Sequence, residues 1–283
     1  MKNVCFIINP FSSTGHYQPF LKKLQDRIPG ADYYISDSIE GTESYIRENF
    51  NTKDIFVAVG GDGTISHIAR HLIHTDKVLA VFPAGSGNGF SRETHFEKDL
   101  SQLIRKIEKF RIKEVDTFMV NEHFSINVSG AGFDGKVAKE FEKTERGFAN
   151  YIKVSISTFF NYKPVKIKFE NPEFQQYNGK YLMLNIANTR QFGNNAYIAP
   201  NASKSDGLVD LVLVKKFPLH YAALFAYRMF TKGLKDDQYV SYISVSEITF
   251  RVSTKNWHID GEFTKIKSPV HIKVLPKSLK ILI

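Results

Sequence analysis

The first 115 residues alternate between two kinds of segment, and this constrains the fold most. Asn3–Ile8, Asp32–Ser36, Ile55–Val59 and Val78–Phe82 read as strands. Between and after them, Pro19–Ile28, Thr42–Phe50, Thr64–Ile73 and Leu100–Phe110 read as helices. In Pro19–Ile28 the residues Phe20, Leu21, Leu24 and Ile28 share one side, and Thr42 is the expected cap of the next helix. Strands buried on both faces read as continuous apolar runs, and a helix between strands makes neighbours parallel. The βαβα order therefore predicts a doubly wound parallel α/β sheet.

The pattern changes after Val115. Thr117–Val128 reads as two strands around a turn at Asn121-Glu122. Further strands are expected at Val165–Phe169, Lys180–Ala187, Leu208–Val214, Glu247–Val252, Trp257–Ile259, Val270–Leu275 and Leu279–Ile283. Gly147–Asn161 and Leu219–Thr231 have helical character. Turn signals such as Tyr177-Asn178-Gly179 and Ser205-Asp206-Gly207 separate the strands. This is the pattern of an antiparallel β-sandwich. Two domains follow, residues 1–118 and 119–283.

Charge divides at the same place. Residues 1–120 hold 15 Lys+Arg and 15 Asp+Glu, out of 38 and 29 in the 283-residue chain. The whole excess of +9 thus lies in the second part, which favours an anionic partner there. No block of Lys/Arg and no zinc-finger spacing points to nucleic acid. A single cysteine, Cys5, forms no internal disulfide and fits a reducing compartment. The N-terminal run lacks the features of a signal peptide, and no stretch reaches the ~18 apolar residues of a membrane span. A cytoplasmic chain is expected. The nine histidines show no metal-type spacing with cysteine, so no zinc site is expected.

Chemistry concentrates where strands of the first domain end. Val57–Val59 runs into Gly60-Gly61-Asp62-Gly63-Thr64, and Ala80–Phe82 into Pro83-Ala84-Gly85-Ser86-Gly87-Asn88-Gly89. A third small and polar loop, Asn9-Pro10-Phe11-Ser12-Ser13-Thr14-Gly15, follows the first strand. Ligands of open α/β sheets bind beyond the carboxyl ends of strands. Glycine there lets backbone N–H groups approach phosphate oxygens, and Thr64 and Ser86 add hydroxyl donors. Each loop alone could be a tight turn; together at one sheet edge they favour phosphate binding. Asp62 would repel a phosphate unless a cation stood between them, and Mg²⁺ suits that role. No Walker A pattern exists. Gly130-Ala131-Gly132-Phe133-Asp134-Gly135 fits G-x-G-x-x-G, but lacks the acidic residue about 20 positions on, and reads as a turn.

These residues resemble the diacylglycerol kinase catalytic family, which includes bacterial lipid kinases, sphingosine kinases and ceramide kinases, with NAD kinases as more distant relatives. The resemblance is carried in order by Asn9-Pro10, Gly60–Thr64, Pro83–Asn88, Gly130–Asp134, Ala199-Pro200 with Asp206-Gly207-Leu208, and Asp260-Gly261-Glu262. It implies an ATP-dependent lipid kinase with its active site in an interdomain cleft. Asn9, Gly60–Thr64, Ser86, Gly87 and Asn88 would bind the nucleotide. Asp62 would act with Mg²⁺ at the phosphates, and Glu262 would take the proton of the lipid hydroxyl. Ser203, Asp206 and Leu208 would hold a second Mg²⁺. Asp116 aligns with an acidic residue linked to the active site; an interdomain salt bridge is the alternative. Many bacterial members have Asp where this chain has Gly89 in Asn88-Gly89-Phe90, and Gly85-Ser86-Gly87-Asn88 is closer to the sphingosine and ceramide kinase version.

The implied lipid is diacylglycerol-like or a sphingoid base or ceramide, with recognition near Phe148, Tyr151, Ile152, Phe159 and Phe160. Those residues, and Tyr221, Leu224, Phe225, Tyr227 and Phe230, are aromatic and apolar at helical spacing, which is more often packing than a ligand site. Peripheral docking on anionic membrane fits the basic second domain. A homodimer stays open. His258, beside the acidic motif, could shape its proton transfer, against the commoner reading of an exposed or packing histidine, and Trp257 reads as a core residue. A NAD kinase-like phosphotransferase and a non-catalytic nucleotide-binding regulator are the alternatives.

Overall fold

A computed structural model describes residues 3–12, 17–144 and 148–283, the side chains of residues 148, 149 and 151 excepted. By contacts the chain forms two units, residues 1–115 with 277–283, and residues 116–276.

In the first unit the elements are β1 (Val4–Ile8), α1 (Gln18–Arg27), β2 (Asp32–Ile35), α2 (Ile39–Asn49), β3 (Ile55–Gly60), α3 (Asp62–Arg70), β4 (Val78–Pro83), α4 (Gly89–Glu93) and α5 (Leu100–Lys109). The strands pair in the order β2-β1-β3-β4, all parallel. Lys280 and Ile281 of the C-terminal strand extend the sheet in parallel beside β4. This is the doubly wound sheet expected from the sequence. The chain leaves β1 towards one edge to form β2, then returns to the other side for β3 and β4. The direction reverses between β1 and β3, where a doubly wound sheet opens a crevice beyond its strand ends. Every residue of β3 and β4 is buried. Burial also pushes the Cys5 thiol up to about 12, which leaves it inert.

Two helices start two or more residues earlier than expected. α2 begins at Ile39, because Ser38 accepts from Gly41 N at 2.8 Å and so caps it. Thr42 lies buried inside the first turn and donates to Ser38 O at 3.0 Å. α3 begins at Asp62 rather than Thr64.

The second unit contains β5 (Ile112–Val120, whose first residues belong to the first unit), β6 (His123–Ser125), β7 (Val128–Gly132), α6 (Phe133–Phe141), α7 (Phe148–Asn161), β8 (Val165–Phe169), β9 (Gly179–Tyr181), β10 (Met183–Ala187), β11 (Val209–Val214), α8 (Leu219–Phe230), β12 (Val240–Val245), β13 (Glu247–Val252), β14 (Asn256–Ile259), β15 (Glu262–Lys265) and β16 (Val270–Leu282, shared with the first unit at its end). One sheet runs β12-β11-β10-β7-β14-β15 and is antiparallel throughout. A second antiparallel set joins β16, β13, β8 and β9. Leu184, Leu211 and Trp257 from one sheet and Phe169, Phe250 and Ile272 from the other share one buried core. This is the expected sandwich.

The Gly130–Gly135 segment is not a simple turn. β7 passes directly into α6, a helix the sequence reading missed. A Cβ on Gly135 would stand 2.5 Å from Asn256 O, so glycine there lets α6 lie against β14. The segment serves helix–sheet packing. Among the described residues no helix is long and apolar enough to cross a membrane.

Trp257 is the only tryptophan, fully buried and stacked near Phe250 with centroids 6.5 Å apart. Phe250→Ala is expected to cost about 3–5 kcal/mol by removing a core ring. Urea unfolding followed through Trp257 fluorescence measures it; a midpoint unchanged from wild type would contradict the packing described.

Candidate active site

The first unit gathers its functional candidates at the crevice between β1 and β3. Asn9 follows β1 and is anchored by its own N–H, which donates to Val59 O at 2.9 Å. Its side chain accepts from Phe11 N at 2.9 Å and donates to Thr64 Oγ1 at 2.7 Å. The loop after β1 is thereby tied to the first turn of α3. Ser13, Thr14 and Gly15 of that loop lie outside the described residues.

The loops after β3 and β4 meet through their glycines. Ala84 N donates to Gly60 O at 2.8 Å, which carries the sheet pairing past the strand ends. A Cβ on Gly85 would stand 2.5 Å from Gly61 Cα, and one on Gly61 would stand 3.2 Å from Gly85 Cα. The backbones approach closely because neither residue has a side chain. Asn88 holds the second loop in shape: its Oδ1 accepts from Gly85 N at 3.0 Å and its Nδ2 donates to Gly85 O at 2.7 Å. Asn88 itself is left-handed, with φ 52°, where asparagine is better tolerated than most residues. Ser86 is exposed at the loop tip, beside Gly87.

Asp62 links both loops. It is the first residue of α3, and its carboxylate accepts from Gly89 N at 3.0 Å and Phe90 N at 3.1 Å. It therefore caps α4. Gly89, which has no side chain, contributes its N–H, and gives it to Asp62. Carboxylate oxygens are of the kind Mg²⁺ takes. The opening turn of α3, with Gly63 and Thr64, presents backbone N–H groups that have no partner within a helix.

The second unit holds the acidic motif. Asp260 and Gly261 both have positive φ, 49° and 93°, and join β14 to β15 as a two-residue hairpin turn. Such turns favour Asp-Gly because both central residues must adopt φ > 0. Asp260 is buried, and its carboxylate accepts from Ser125 Oγ at 2.7 Å, Ile126 N at 3.1 Å and Asn127 N at 2.9 Å. Asp260 is thus a structural anchor. Glu262 is exposed at the first position of β15.

His258 and Asp134 form a pair that sequence reading missed. Both are buried, and His258 Nε2 lies 3.3 Å from Asp134 Oδ2. Gly261 N donates to His258 Nδ1 at 3.3 Å. Nδ1 is therefore the acceptor, and the proton sits on Nε2, facing Asp134. The chain of contacts Asp134–His258–Gly261 steadies the turn that carries Glu262. Its signal in the sequence was weak: Asp134 stands inside the glycine motif read as a turn.

Ser203, Asp206 and Leu208 share one loop. Asp206 Oδ1 accepts from Leu208 N at 3.1 Å. Asp116, fully buried, accepts from Gly207 N at 2.7 Å and donates its own N–H to Lys204 O at 2.7 Å. Asp116 straps this loop within the second unit. The loop offers hydroxyl, carboxylate and carbonyl oxygens, a hard donor set that fits Mg²⁺ rather than a softer metal.

Asp260→Ala would strand two buried N–H groups and a hydroxyl, at about 3 kcal/mol in all. A urea midpoint close to that of wild type would contradict the anchoring role.

Comparison with known proteins bears on the family and the fold. The diacylglycerol kinase catalytic domain model matches residues 3–120, and the YegS C-terminal NAD kinase beta sandwich-like domain model matches residues 127–283. A diacylglycerol kinase of Bacillus subtilis (strain 168) is 25% identical, covering 98% of this chain and 97% of that protein. A probable lipid kinase YegS-like protein of Pectobacterium atrosepticum is 25% identical over 83% of this chain and 80% of its own length. Another, of Pseudomonas aeruginosa (strain UCBPP-PA14), is 29% identical over 56% of this chain and 53% of its own length. The crystal structure of a diacylglycerol kinase from Bacillus anthracis str. Sterne has the same fold, with TM-score 0.74 at 21% identity, covering 99% of this chain and 96% of that one. Both halves of the chain carry the domains of one kinase family, and this chain therefore belongs to the diacylglycerol kinase catalytic family, in the branch with a YegS-type C-terminal domain.

Proposed function

We propose that this protein is a lipid kinase that transfers the γ-phosphoryl group of ATP to the hydroxyl of a lipid. The observation that carries the reading is the bare-backbone approach of Gly61 and Gly85 beside the Asn9–Thr64 bond, at the reversal point of the sheet. Glycine backbone this close, at the start of α3, leaves amides free of side-chain bulk, which suits phosphate. In this reading Asn9, Gly60–Thr64, Ser86, Gly87 and Asn88 bind the nucleotide. Asp62 keeps the two loops in register and holds Mg²⁺, which when bound neutralises charge on the phosphates. Ser203, Asp206 and Leu208 are the proposed holders of a second, structural Mg²⁺.

Glu262 is the proposed general base. The lipid oxygen bonds to the γ-phosphorus, the bond from that phosphorus to the bridging oxygen breaks, ADP leaves, and the hydroxyl proton passes to the Glu262 carboxylate. An exposed carboxylate next to a fixed hairpin turn suits this task. Asp260, by contrast, is engaged as an anchor.

The proposed acceptor is a diacylglycerol-type lipid or a sphingoid or ceramide-type lipid. Ile152, Ile156 and Phe160 form one exposed face of α7, and Leu224, Tyr227 and Phe230 are exposed on α8. Phe159, Tyr221 and Phe225 instead pack inward, and the side chains of Phe148 and Tyr151 lie outside those described. With Lys153, Lys163, Lys215 and Lys232 in or beside these helices, the apolar faces support reversible docking on anionic membrane, at about 1 kcal/mol per basic residue near the surface.

The reading is tested by phosphate transfer from labelled ATP to diacylglycerol, monoacylglycerol, sphingosine, dihydrosphingosine and ceramide in mixed micelles, with NAD as soluble control. A labelled lipid that is absent with Asp62→Asn is the expected result. Labelled NADP would replace the reading with a NAD kinase-like one, and ATP binding without any product would favour a regulator. Glu262→Gln is expected to lower turnover by about 10²–10⁴-fold with ATP binding intact; normal turnover would remove the base role. Vesicle sedimentation is expected to show binding to anionic lipid that salt weakens, and equal binding to neutral lipid would contradict the docking.

A further inference from the structure

The first unit carries a second cluster at the far end of α3 from Asp62. His67 and His71 are four residues apart and share one face of the helix end. Their rings stand edge to face with centroids 5.4 Å apart. Glu43 comes from α2, and its Oε1 lies 3.6 Å from His71 Nε2. One nitrogen of each ring and one Glu43 oxygen all lie within 4.8 Å of one another.

Nε2 of both histidines is buried and has no hydrogen-bond partner among the described residues. Buried polar atoms are nearly always satisfied, so two adjacent exceptions on converging side chains call for a shared partner. A recess of about 350 Å³, lined by Glu43, Arg47, Asn51 and His71 among others, borders the cluster and gives access to it.

We propose that Glu43, His67 and His71 bind one divalent transition-metal cation of the Zn²⁺ class, which ties α2 to α3. Two imidazole nitrogens and one carboxylate are the donors such a cation takes, with water in a fourth position. Mg²⁺ prefers an all-oxygen set and is a poor match. Donors around a tetrahedral zinc stand about 3.3 Å apart at Zn–N of about 2.0–2.1 Å. The Glu43–His71 separation is already near that value, and side-chain rotation closes the rest. The imidazoles must be neutral to bind.

The inference stands apart from the proposed activity, since it uses none of the residues assigned to ATP or lipid. Its structural consequence falls on α3, whose opening turn holds Gly63 and Thr64. The sequence reading looked for histidine paired with cysteine, whereas this site pairs histidines one turn apart with a glutamate from another helix.

The test uses the full chain, freed of metal by a chelator and titrated with Zn²⁺ in calorimetry and thermal unfolding. Wild type is expected to take up one equivalent more than His67→Ala/His71→Ala, and to show a rise in Tm that the double variant lacks. Glu43→Gln is expected to weaken that equivalent by at least about 10-fold, the scale on which even outer-shell partners act. Equal Zn²⁺ uptake by wild type and the double variant, or no uptake by wild type, would overturn the proposal. Equal potency of Mg²⁺ at this equivalent would overturn the metal class. If circular dichroism shows the double variant unfolded, His71→Asn provides the same comparison.

Discussion

Two backbones touch in the first unit without side chains between them, and the candidate site depends on that contact. Gly61 and Gly85 come from loops after adjacent parallel strands, and a methyl group on Gly85 would reach Gly61 Cα. With the loops this close, the Asp62 carboxylate spans from α3 to the opening amides of α4. Asn88 then closes the second loop upon Gly85, and Asn9 reaches Thr64 from the neighbouring strand. Each of these polar contacts joins segments far apart in the chain or fixes a loop that does so. A few hydrogen bonds thus hold three loops at one edge of the sheet.

The second unit uses the same economy differently. The end of β6, the link to β7 and β7 itself carry polar residues at alternate positions, Ser125, Asn127 and Ser129, all buried. Asp260 reaches across from the β14–β15 turn to satisfy this stretch, and Ser125 also bonds Ser129 at 2.8 Å. A buried carboxylate is tolerated because it accepts from several donors at once. One residue later the chain is exposed again, and two residues later Glu262 stands at the surface. Within three residues the motif supplies an anchor, a turn and an accessible carboxylate.

The fold was legible because hydrophobic period reports burial. Continuous apolar runs at Ile55–Val59 and Val78–Phe82 could only be strands covered on both faces, and their helical connections required parallel pairing. The glycine loops were legible for a related reason: glycine is costly unless close approach demands it. What the sequence concealed were contacts whose partners lie far apart. Asp62 as a cap for α4 depends on an amide 27 residues away, and His258 meets Asp134 across 124 residues. The α6 helix was hidden because Gly132 and Gly135 lower helical propensity locally, while packing on β14 overrides it. Ser38 displaced Thr42 as cap because hydrogen-bonding to an amide three residues on, not residue type alone, defines the helix start.

The most direct test of the account is the affinity of ATP for the wild-type chain and for Gly85→Ala, measured by calorimetry at fixed Mg²⁺. The added methyl group would push the two loops apart and leave the residues that carry charge untouched. The account predicts a dissociation constant raised by about 10-fold or more, a loss of about 1.4 kcal/mol or greater, with far-UV circular dichroism unchanged. Equal affinity in the two proteins would show that the paired glycine loops are not where phosphate binds, and would remove the basis of the proposed function.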